Sequence, residues 1–298
     1  MNSYFSQEYP FTGKKLELNG LNYHYLDEGS GSTVVMVHGN PSWSFYYRNL
    51  VLALRDRYRC IVPDHIGCGF SDKPGDDRYD YTLAQRVDDL ERLLDQLGLV
   101  DNITLVVHDW GGMIGMAYAV RHPERISRLV ILNTGAFHLP KTKVFPPALD
   151  ICRNTAFGTL LVRGLNAFSV GASYVGCKRN PMNAELRSLY QLPYDSWQNR
   201  IATLRFVQDI PLRPGDRGYD LVSAVSDGID QFKNLPMLIC WGELDFVFDG
   251  HFLAEWQRRF PDAEVHSYPD CGHYILEDAR EEVVPLIREF LEQTKVSL

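Results

Sequence analysis

The sequence predicts an α/β protein with a mostly parallel, doubly wound sheet and a helical cap inserted after the sixth strand. Short β-branched apolar runs alternate with amphipathic helical patterns in residues 1–134 and again in residues 231–298. This alternation is typical of a parallel sheet with helices on both faces. Residues 135–230 instead hold several short helical patterns and no convincing core strand, and such a segment is too long for a loop. We therefore expect a core of residues 1–134 and 231–298 and a cap of residues 135–230.

Each element of this fold has its own signal in the sequence. Residues 15–28 surround Asn19-Gly20, a pair that favours a hairpin turn between antiparallel strands. Residues 83–97 place apolar side chains at helical spacing, and Gly98 suits the end of that helix. Further strands are predicted at residues 33–37, 60–63, 103–107, 129–132, 236–241 and 264–268, and further helices at residues 45–54, 113–121, 251–260 and 283–291. The cap would then cover the strand ends, where open α/β sheets bind ligands.

Bulk composition excludes several classes of protein. The chain has 298 residues, 45% of them hydrophobic, and a net charge of −8, which argues against a general nucleic-acid binder. Its apolar runs are too short to span a bilayer, and the first residues lack the pattern of a signal peptide. The six cysteines (60, 68, 152, 177, 240 and 271) have no metal-ligand spacing. We therefore expect reduced thiols, no metal site and a cytoplasmic location.

One stretch, residues 105–115, carries the strongest chemical signal. An apolar run ends abruptly at Asp109, and Trp110 and two glycines lead into a helical pattern. A sharp strand-to-helix turn of this kind presents one side chain at its tip. Since a carboxylate is ionised at pH 7, Asp109 needs no base to act as a nucleophile. The alternative is that Asp109 only caps the helix, and on this stretch alone the two interpretations are about equal.

Three other polar residues also follow predicted strands: Asn40, Asp245 and His273. Asp245 and His273 come after Asp109 in the order nucleophile, acid, histidine that a hydrolase triad requires. Asp249 competes with Asp245 in the same loop, but its place just before Gly250 suits a helix cap. The joint match favours a catalytic triad over chance, although each residue alone is a weak signal.

These motifs resemble a known family. The segments HGNPSW at residues 38–43, VHDWGG at 107–112 and GH at 272–273 are similar to those of the haloalkane dehalogenases. The resemblance is to the branch that also holds the β-lactone decarboxylases of bacterial olefin biosynthesis. It covers nearly the whole chain, cap included, and implies an α/β-hydrolase fold.

The resemblance also implies roles for individual residues. It implies that Asp109 is the nucleophile, that His273 is the general base and that Asp245 orients the histidine. Asn40 and Trp110 match the pair whose side-chain N–H groups hold a departing halide. Another branch has its acid after the preceding strand, but residues 132–135 here read LNTG, without a carboxylate. No cofactor is implied.

Several functions stay open at this point. The first hypothesis is a haloalkane dehalogenase that releases halide and forms an alkyl ester on Asp109, which water activated by His273 hydrolyses to an alcohol. The alternative is a β-lactone decarboxylase that forms long-chain cis-alkenes and carbon dioxide with the same residues. An epoxide hydrolase is less favoured because it typically carries an aromatic residue at the position of Asn40. It would also use cap tyrosines, and Tyr174, Tyr190, Tyr194 and Tyr219 lie in the cap.

Two further expectations concern what the protein binds. The intact triad argues against a ligand-binding protein that has lost catalysis. The aromatic cap, with Phe157, Phe168, Trp197 and Phe206, suits a small apolar substrate, though such residues are at least as often core. The branch also implies a homo-oligomer or a multi-enzyme assembly.

Overall fold

The computed structural model describes residues 3–294, so residues 1–2 of the amino-terminal stretch considered above, and residues 295–298, lie outside it. Its core is an eight-stranded sheet in the order β1-β2-β4-β3-β5-β6-β7-β8. The strands are β1 Lys14–Leu18, β2 Leu21–Glu28, β3 Ser32–Val37, β4 Tyr58–Pro63, β5 Ile103–Asp109, β6 Ile126–Thr134, β7 Met237–Gly242 and β8 Glu264–Tyr268. β2 pairs antiparallel with β1 and with β4, and all other neighbours pair in parallel.

Helices cover both faces of this sheet. They are α1 Ser3–Glu8, α2 Arg48–Leu54, α3 Leu83–Gln96, α4 Trp110–Arg121, α5 Pro147–Asn154, α6 Ala156–Thr159, α7 Ala167–Val175, α8 Ala184–Gln191, α9 Ile201–Gln208, α10 Tyr219–Gly228, α11 Gly250–Arg259, α12 Ile275–Asp278 and α13 Arg280–Gln293. A π-helical turn at Leu160–Gly164 joins α6 to α7, and 3₁₀ turns lie at Ser44–Tyr47, Pro123–Arg125, Gln198–Arg200 and Ile229–Phe232. Since α5 to α10 lie between β6 and β7, the prediction of a helical insertion after the sixth strand is confirmed.

The central strand shows why the sheet is covered on both sides. All seven residues of β5 are buried, as expected of a parallel strand between two helical layers. Leu105 and Val107 pack into one apolar cluster and Val106 into the other, because successive side chains point to opposite faces. The doubly wound α/β class predicted from the sequence is therefore confirmed.

Three elements, α4, β6 and α13, begin three residues earlier than the sequence patterns predicted. Helix α4 starts at Trp110 rather than at residue 113. Its Gly111 lies against β3, where a side chain would collide with the carbonyl oxygen of Val37. Strand β6 starts at Ile126 rather than at residue 129. Its polar Arg128 is buried, and the guanidinium donates to Thr104 Oγ1 at 2.9 Å and to the Leu291 carbonyl at 3.2 Å.

Three features of residues 3–294 bear on the class of protein. No helix there is both long enough and apolar enough to cross a membrane. No group of three or more His, Cys, Asp and Glu side chains in that range is arranged to hold a metal ion. The six cysteines are free thiols, and burial raises the pKa of the one at Cys68 to about 11.

Candidate active site

Asp109 lies at the turn between β5 and α4 in a strained backbone conformation. Its φ is 52° and its ψ is −128°, values that a residue with a side chain rarely adopts. The carboxylate makes no capping hydrogen bond to α4, so the capping interpretation has no support. Gly39 leaves room for this carboxylate, since a Cβ at that position would collide with Asp109 Oδ1. The side chain at the tip is therefore held out of the helix and towards β3.

Asn40 holds one oxygen of this carboxylate through its backbone. Its N–H donates to Asp109 Oδ1 at 2.6 Å, and its side-chain Nδ2 donates to the Thr203 carbonyl of the cap at 3.1 Å. His38 stiffens the loop, because its Nδ1 donates to the Gly39 carbonyl at 2.7 Å. One N–H of the Asn40 amide is thus engaged by the cap, and the second is available to a ligand.

His273 lies between two carboxylates. Its Nδ1–H donates to Asp245 Oδ2 at 2.7 Å, and its Nε2 is 3.6 Å from Asp109 Oδ2, too far for a hydrogen bond. The Nδ1 contact fixes the tautomer, so the lone pair of a neutral imidazole would be on Nε2, facing Asp109. In addition, His108 Nε2 donates to the backbone carbonyl of His273 at 2.9 Å. The three triad candidates are thus brought together in the order in which a nucleophile, a base and an orienting acid must meet.

Asn133, at the end of β6, holds Asp245 in place and was not singled out by the sequence. Its Nδ2 donates to Asp245 Oδ2 at 3.1 Å and to the Gly242 carbonyl at 2.9 Å, and its Oδ1 accepts from the Gly242 N–H at 2.8 Å. The second oxygen of Asp245 accepts from the Val247 N–H at 2.8 Å. Asp249, the competing carboxylate, caps α11 by accepting from the His251 N–H at 3.1 Å. The only signal for Asn133 in the sequence was an amide where the other branch has its acid.

Burial and neighbouring charges shift the pKa values of both Asp109 and His273. Burial raises the pKa of Asp109, although His273 and the backbone N–H groups of Asn40 and Trp110 act against this rise. Burial lowers the pKa of His273, but the charge and hydrogen bond of Asp245 and the charge of Asp109 outweigh it, so the pKa lies above its ordinary value. A carboxylate that is poorly solvated in this way is a stronger nucleophile than one in water.

A cavity between core and cap gives access to these groups. Asn40, Asp109, Trp110 and His273 form its polar end. The rest is largely apolar and aromatic, including Met113, Phe137, Leu149, Phe168, Val207 and Phe246. An apolar molecule that enters would thus be desolvated next to a carboxylate and two N–H donors.

Only some of the cap aromatics and tyrosines that the sequence suggested for the site lie near the cavity. Phe168 lines the cavity and Phe206 is buried beside Trp110, whereas Phe157 and Trp197 are exposed. Among the described residues that line the cavity there is no tyrosine. Tyr190 donates to Glu277 and Tyr194 to the Ser42 carbonyl. Among the described residues, none of the four cap tyrosines therefore lines the cavity, which disfavours the epoxide hydrolase hypothesis.

Comparison with known proteins places this geometry in a family. The model of the alpha/beta hydrolase fold matches residues 32–279. The chain belongs to the α/β-hydrolase fold family. It is 65% identical over 286 residues to a "Cis-3-alkyl-4-alkyloxetan-2-one decarboxylase" of Shewanella oneidensis, covering 96% of this chain and 90% of that protein. A protein of the same name from Xanthomonas campestris is 51% identical over 293 residues, covering 96% of this chain and 97% of the relative.

More distant relatives in this α/β-hydrolase family are named as dehalogenases. "Haloalkane dehalogenase 2" of Mycobacterium tuberculosis is 28% identical over 295 residues, covering 95% of this chain and 96% of that protein. The crystal structure of the haloalkane dehalogenase DatA from Agrobacterium tumefaciens superposes with a TM-score of 0.84 at 23% identity, covering 95% of this chain and 97% of that one. The resemblance drawn from the sequence motifs, including the branch, is confirmed.

Proposed function

We propose that this chain is a β-lactone decarboxylase, which converts a cis-3,4-dialkyl β-lactone into a cis-alkene and carbon dioxide. The observation that carries this choice is the 65% identity over 96% of the chain to a relative of that name. In the sequence analysis this function was the alternative. The dehalogenase hypothesis, placed first there, becomes the second candidate because the relatives with that name are 28–30% identical.

The first step of the proposed reaction uses Asp109 as the nucleophile. Its carboxylate attacks the ring carbon that bears the ring oxygen, and a new carbon–oxygen ester bond forms on Asp109. The old carbon–oxygen bond breaks, and its electron pair moves to the ring carboxylate. Asn40 and Trp110, whose side chains carry N–H donors, both line the cavity with Asp109. They would bind the negative charge that develops on this carboxylate.

The second step returns the enzyme to its starting state. The bond to the carboxylate carbon breaks and carbon dioxide leaves, while the electron pair of that bond forms the carbon–carbon double bond. The ester bond to Asp109 breaks at the same time and restores its carboxylate. Attack with inversion followed by anti elimination keeps the two alkyl groups cis, as they were in the lactone. Neither step consumes water or a proton.

His273 and Asp245 would have different roles in the two candidate reactions. An alkyl ester left by a haloalkane needs water, and His273 would take the proton from that water. Decarboxylation needs no water, so in the lactone reaction His273 and Asp245 would serve to position Asp109. The second candidate is retained because two N–H donors beside a buried carboxylate suit a departing halide as well as a carboxylate.

The test is a parallel assay of the full-length protein with a synthetic cis-3,4-dialkyl β-lactone and with a primary bromoalkane. We expect cis-alkene from the lactone and little bromide release. Asp109→Asn should abolish both activities and serves as the matched control. Bromide release without alkene formation would refute the decarboxylase proposal in favour of the dehalogenase.

Oxygen labelling separates the two mechanisms independently of rates. In ¹⁸O-water, repeated ester hydrolysis places label in the Asp109 carboxylate, because water attacks the ester carbonyl. Decarboxylation leaves that carboxylate unlabelled. We expect no label at Asp109 in the peptide mass spectrum after many turnovers of the lactone. Label at Asp109 after lactone turnover would show that a hydrolytic step is on the pathway.

We also propose a domain division, a cellular location and an assembly state for this chain. The division into a core of residues 1–134 and 231–298 and a cap of residues 135–230 is supported by the position of α5 to α10 between β6 and β7. A cytoplasmic location and a homo-oligomer or multi-enzyme assembly complete the proposal. Light scattering of the purified chain, alone and with lysate of its source, would measure its assembly state.

A further inference from the structure

Arg86 is a buried cation close to the proposed leaving-group site. It projects from α3 and is 0% exposed. Its Nη1 is 3.4 Å from Asp209 Oδ2, and its Nε and Nη2 have no hydrogen-bond partner among residues 3–294. A guanidinium with so few partners is costly to bury. A side chain that only tied α3 to the cap would be expected to satisfy more of its five donors.

The guanidinium faces aromatic rings rather than acceptors. Its Cζ is 3.7 Å from the centroid of the Phe206 ring and 5.9 Å from that of Trp110, and the two ring centroids are 5.4 Å apart. Trp110 lines the cavity beside Asp109, whereas Arg86 is not among the lining residues. Arg86 is therefore a buried charge outside the cavity lining, and its Cζ is 5.9 Å from the centroid of a Trp110 ring that belongs to that lining.

We propose that Arg86 is a positioning residue whose buried charge, acting through Trp110, strengthens the binding of the anion released by the attack of Asp109. A cation near an indole ring draws electron density from it, which makes the ring N–H a better donor. The charge also attracts an anion across a wall from which water is excluded. This inference rests on the proposed function, because it takes Trp110 as part of the leaving-group site.

Asp209 modulates this charge. Its Oδ2 accepts from the Leu83 N–H at 2.6 Å and lies at the long distance of 3.4 Å from Arg86. Burial raises the pKa of Asp209 to about 6, against the opposing charge of Arg86. The carboxylate therefore offsets only part of the guanidinium charge. Removing it as Asp209→Asn keeps an oxygen for the Leu83 N–H and leaves Arg86 with less compensation.

Two substitutions that should change anion affinity in opposite directions test the inference. Bromide and formate binding are measured on the full-length protein by quenching of tryptophan fluorescence at constant pH and ionic strength, and Trp110→Phe assigns the signal to the cavity. We expect Arg86→Met to weaken anion binding about tenfold and Asp209→Asn to strengthen it several-fold. Arg128→Met, which removes another buried arginine, should leave anion binding unchanged.

Other outcomes overturn the inference. If Arg86→Met and Asp209→Asn both weaken binding, the pair is only a tie between α3 and the cap. Lack of a Trp110-dependent anion signal in the wild type would also refute it. If Arg86→Met does not fold, Arg86→Lys keeps the charge and should bind the anions with an affinity within a few-fold of wild type. Asp209→Asn then decides the test alone, since only the proposed role predicts tighter anion binding. Failure of the proposed function appears separately, as absence of alkene from the lactone.

Discussion

Replacing Asn133 by aspartate tests how the site holds its orienting acid. The substitution keeps the shape of the side chain and the acceptor for the Gly242 N–H, but it removes the amide N–H that Asp245 accepts at 3.1 Å. In its place stands a second carboxyl group at the same distance from Asp245. Both groups lie in a buried region, where like charges are poorly screened.

The structure gives the size of the effect. Two ionised carboxylates 3.1 Å apart would repel by about 5 kcal/mol at an effective dielectric constant of about 20. Keeping one proton on the pair at pH 7 costs about 4 kcal/mol, because pH 7 lies about three units above the ordinary aspartate pKa. Protonation is the smaller cost, so the pair keeps a proton and one carboxyl donates to the other. The folded-state pKa then lies above the unfolded value.

The sign of the pH dependence follows from this raised pKa. Below the unfolded pKa both states are protonated and the variant carries no penalty, and the penalty grows as the pH rises towards the folded pKa. Between pH 5 and pH 7, Asn133→Asp should lose about 2.7 kcal/mol of unfolding free energy relative to wild type. Urea unfolding at both pH values measures it. Asn19→Asp is the control, because Asn19 is exposed and its φ of 52° is positive, as is the φ of 32° at Asn133. Parallel stability of Asn133→Asp and wild type would refute the contact between Asn133 and Asp245.

Three further predictions concern activity. Gly39→Ala should lower kcat about 100-fold or more, because its Cβ displaces the Asp109 carboxylate; Gly171→Ala, with open space around its Cα, should match wild type in the same alkene assay. Trp110→Phe keeps a ring but removes the N–H donor, and kcat should fall about 100- to 1,000-fold with little change in thermal midpoint. The pKa of His273 is raised, and in the candidate hydrolysis its neutral form would be the base. Single-turnover hydrolysis of a bromoalkane-derived ester should therefore accelerate with pH above the ordinary histidine range of about 6.5, whereas a flat profile would remove His273 from that step.

The fold and the meeting of the three triad candidates could be predicted because their signals are local. The strand-to-helix turn at Asp109 depends on neighbours within a few residues, and the order of Asp109, Asp245 and His273 depends only on which residue comes after which strand. Boundaries failed where a contact distant in sequence decides them. Helix α4 begins three residues early, and its Gly111 packs against β3. Strand β6 extends over Arg128, whose buried side chain reaches the Leu291 carbonyl.

The residues that support the site could not be predicted for the same reason. Asn133 acts on Asp245, which lies 112 positions away in the sequence, and Arg86 meets Phe206 from a different layer of the fold. An asparagine at a strand end and an arginine in an amphipathic helix are ordinary residues in a sequence. Their importance comes from burial and from the partner that the folded chain brings to them.

In the proposed mechanisms one carboxylate would serve two reactions, because the leaving group would decide the fate of the ester on Asp109. A halide departs from the substrate, so the ester persists until His273 activates a water molecule. The carboxylate of an opened β-lactone stays attached one carbon from the ester, and loss of carbon dioxide is then an intramolecular step. Intramolecular steps of this kind have effective concentrations far above that of a scarce water in an apolar cavity. Alkene formation should therefore be faster than hydrolysis whenever a lactone is bound. The cap would then select the reaction, because it determines which substrate reaches Asp109.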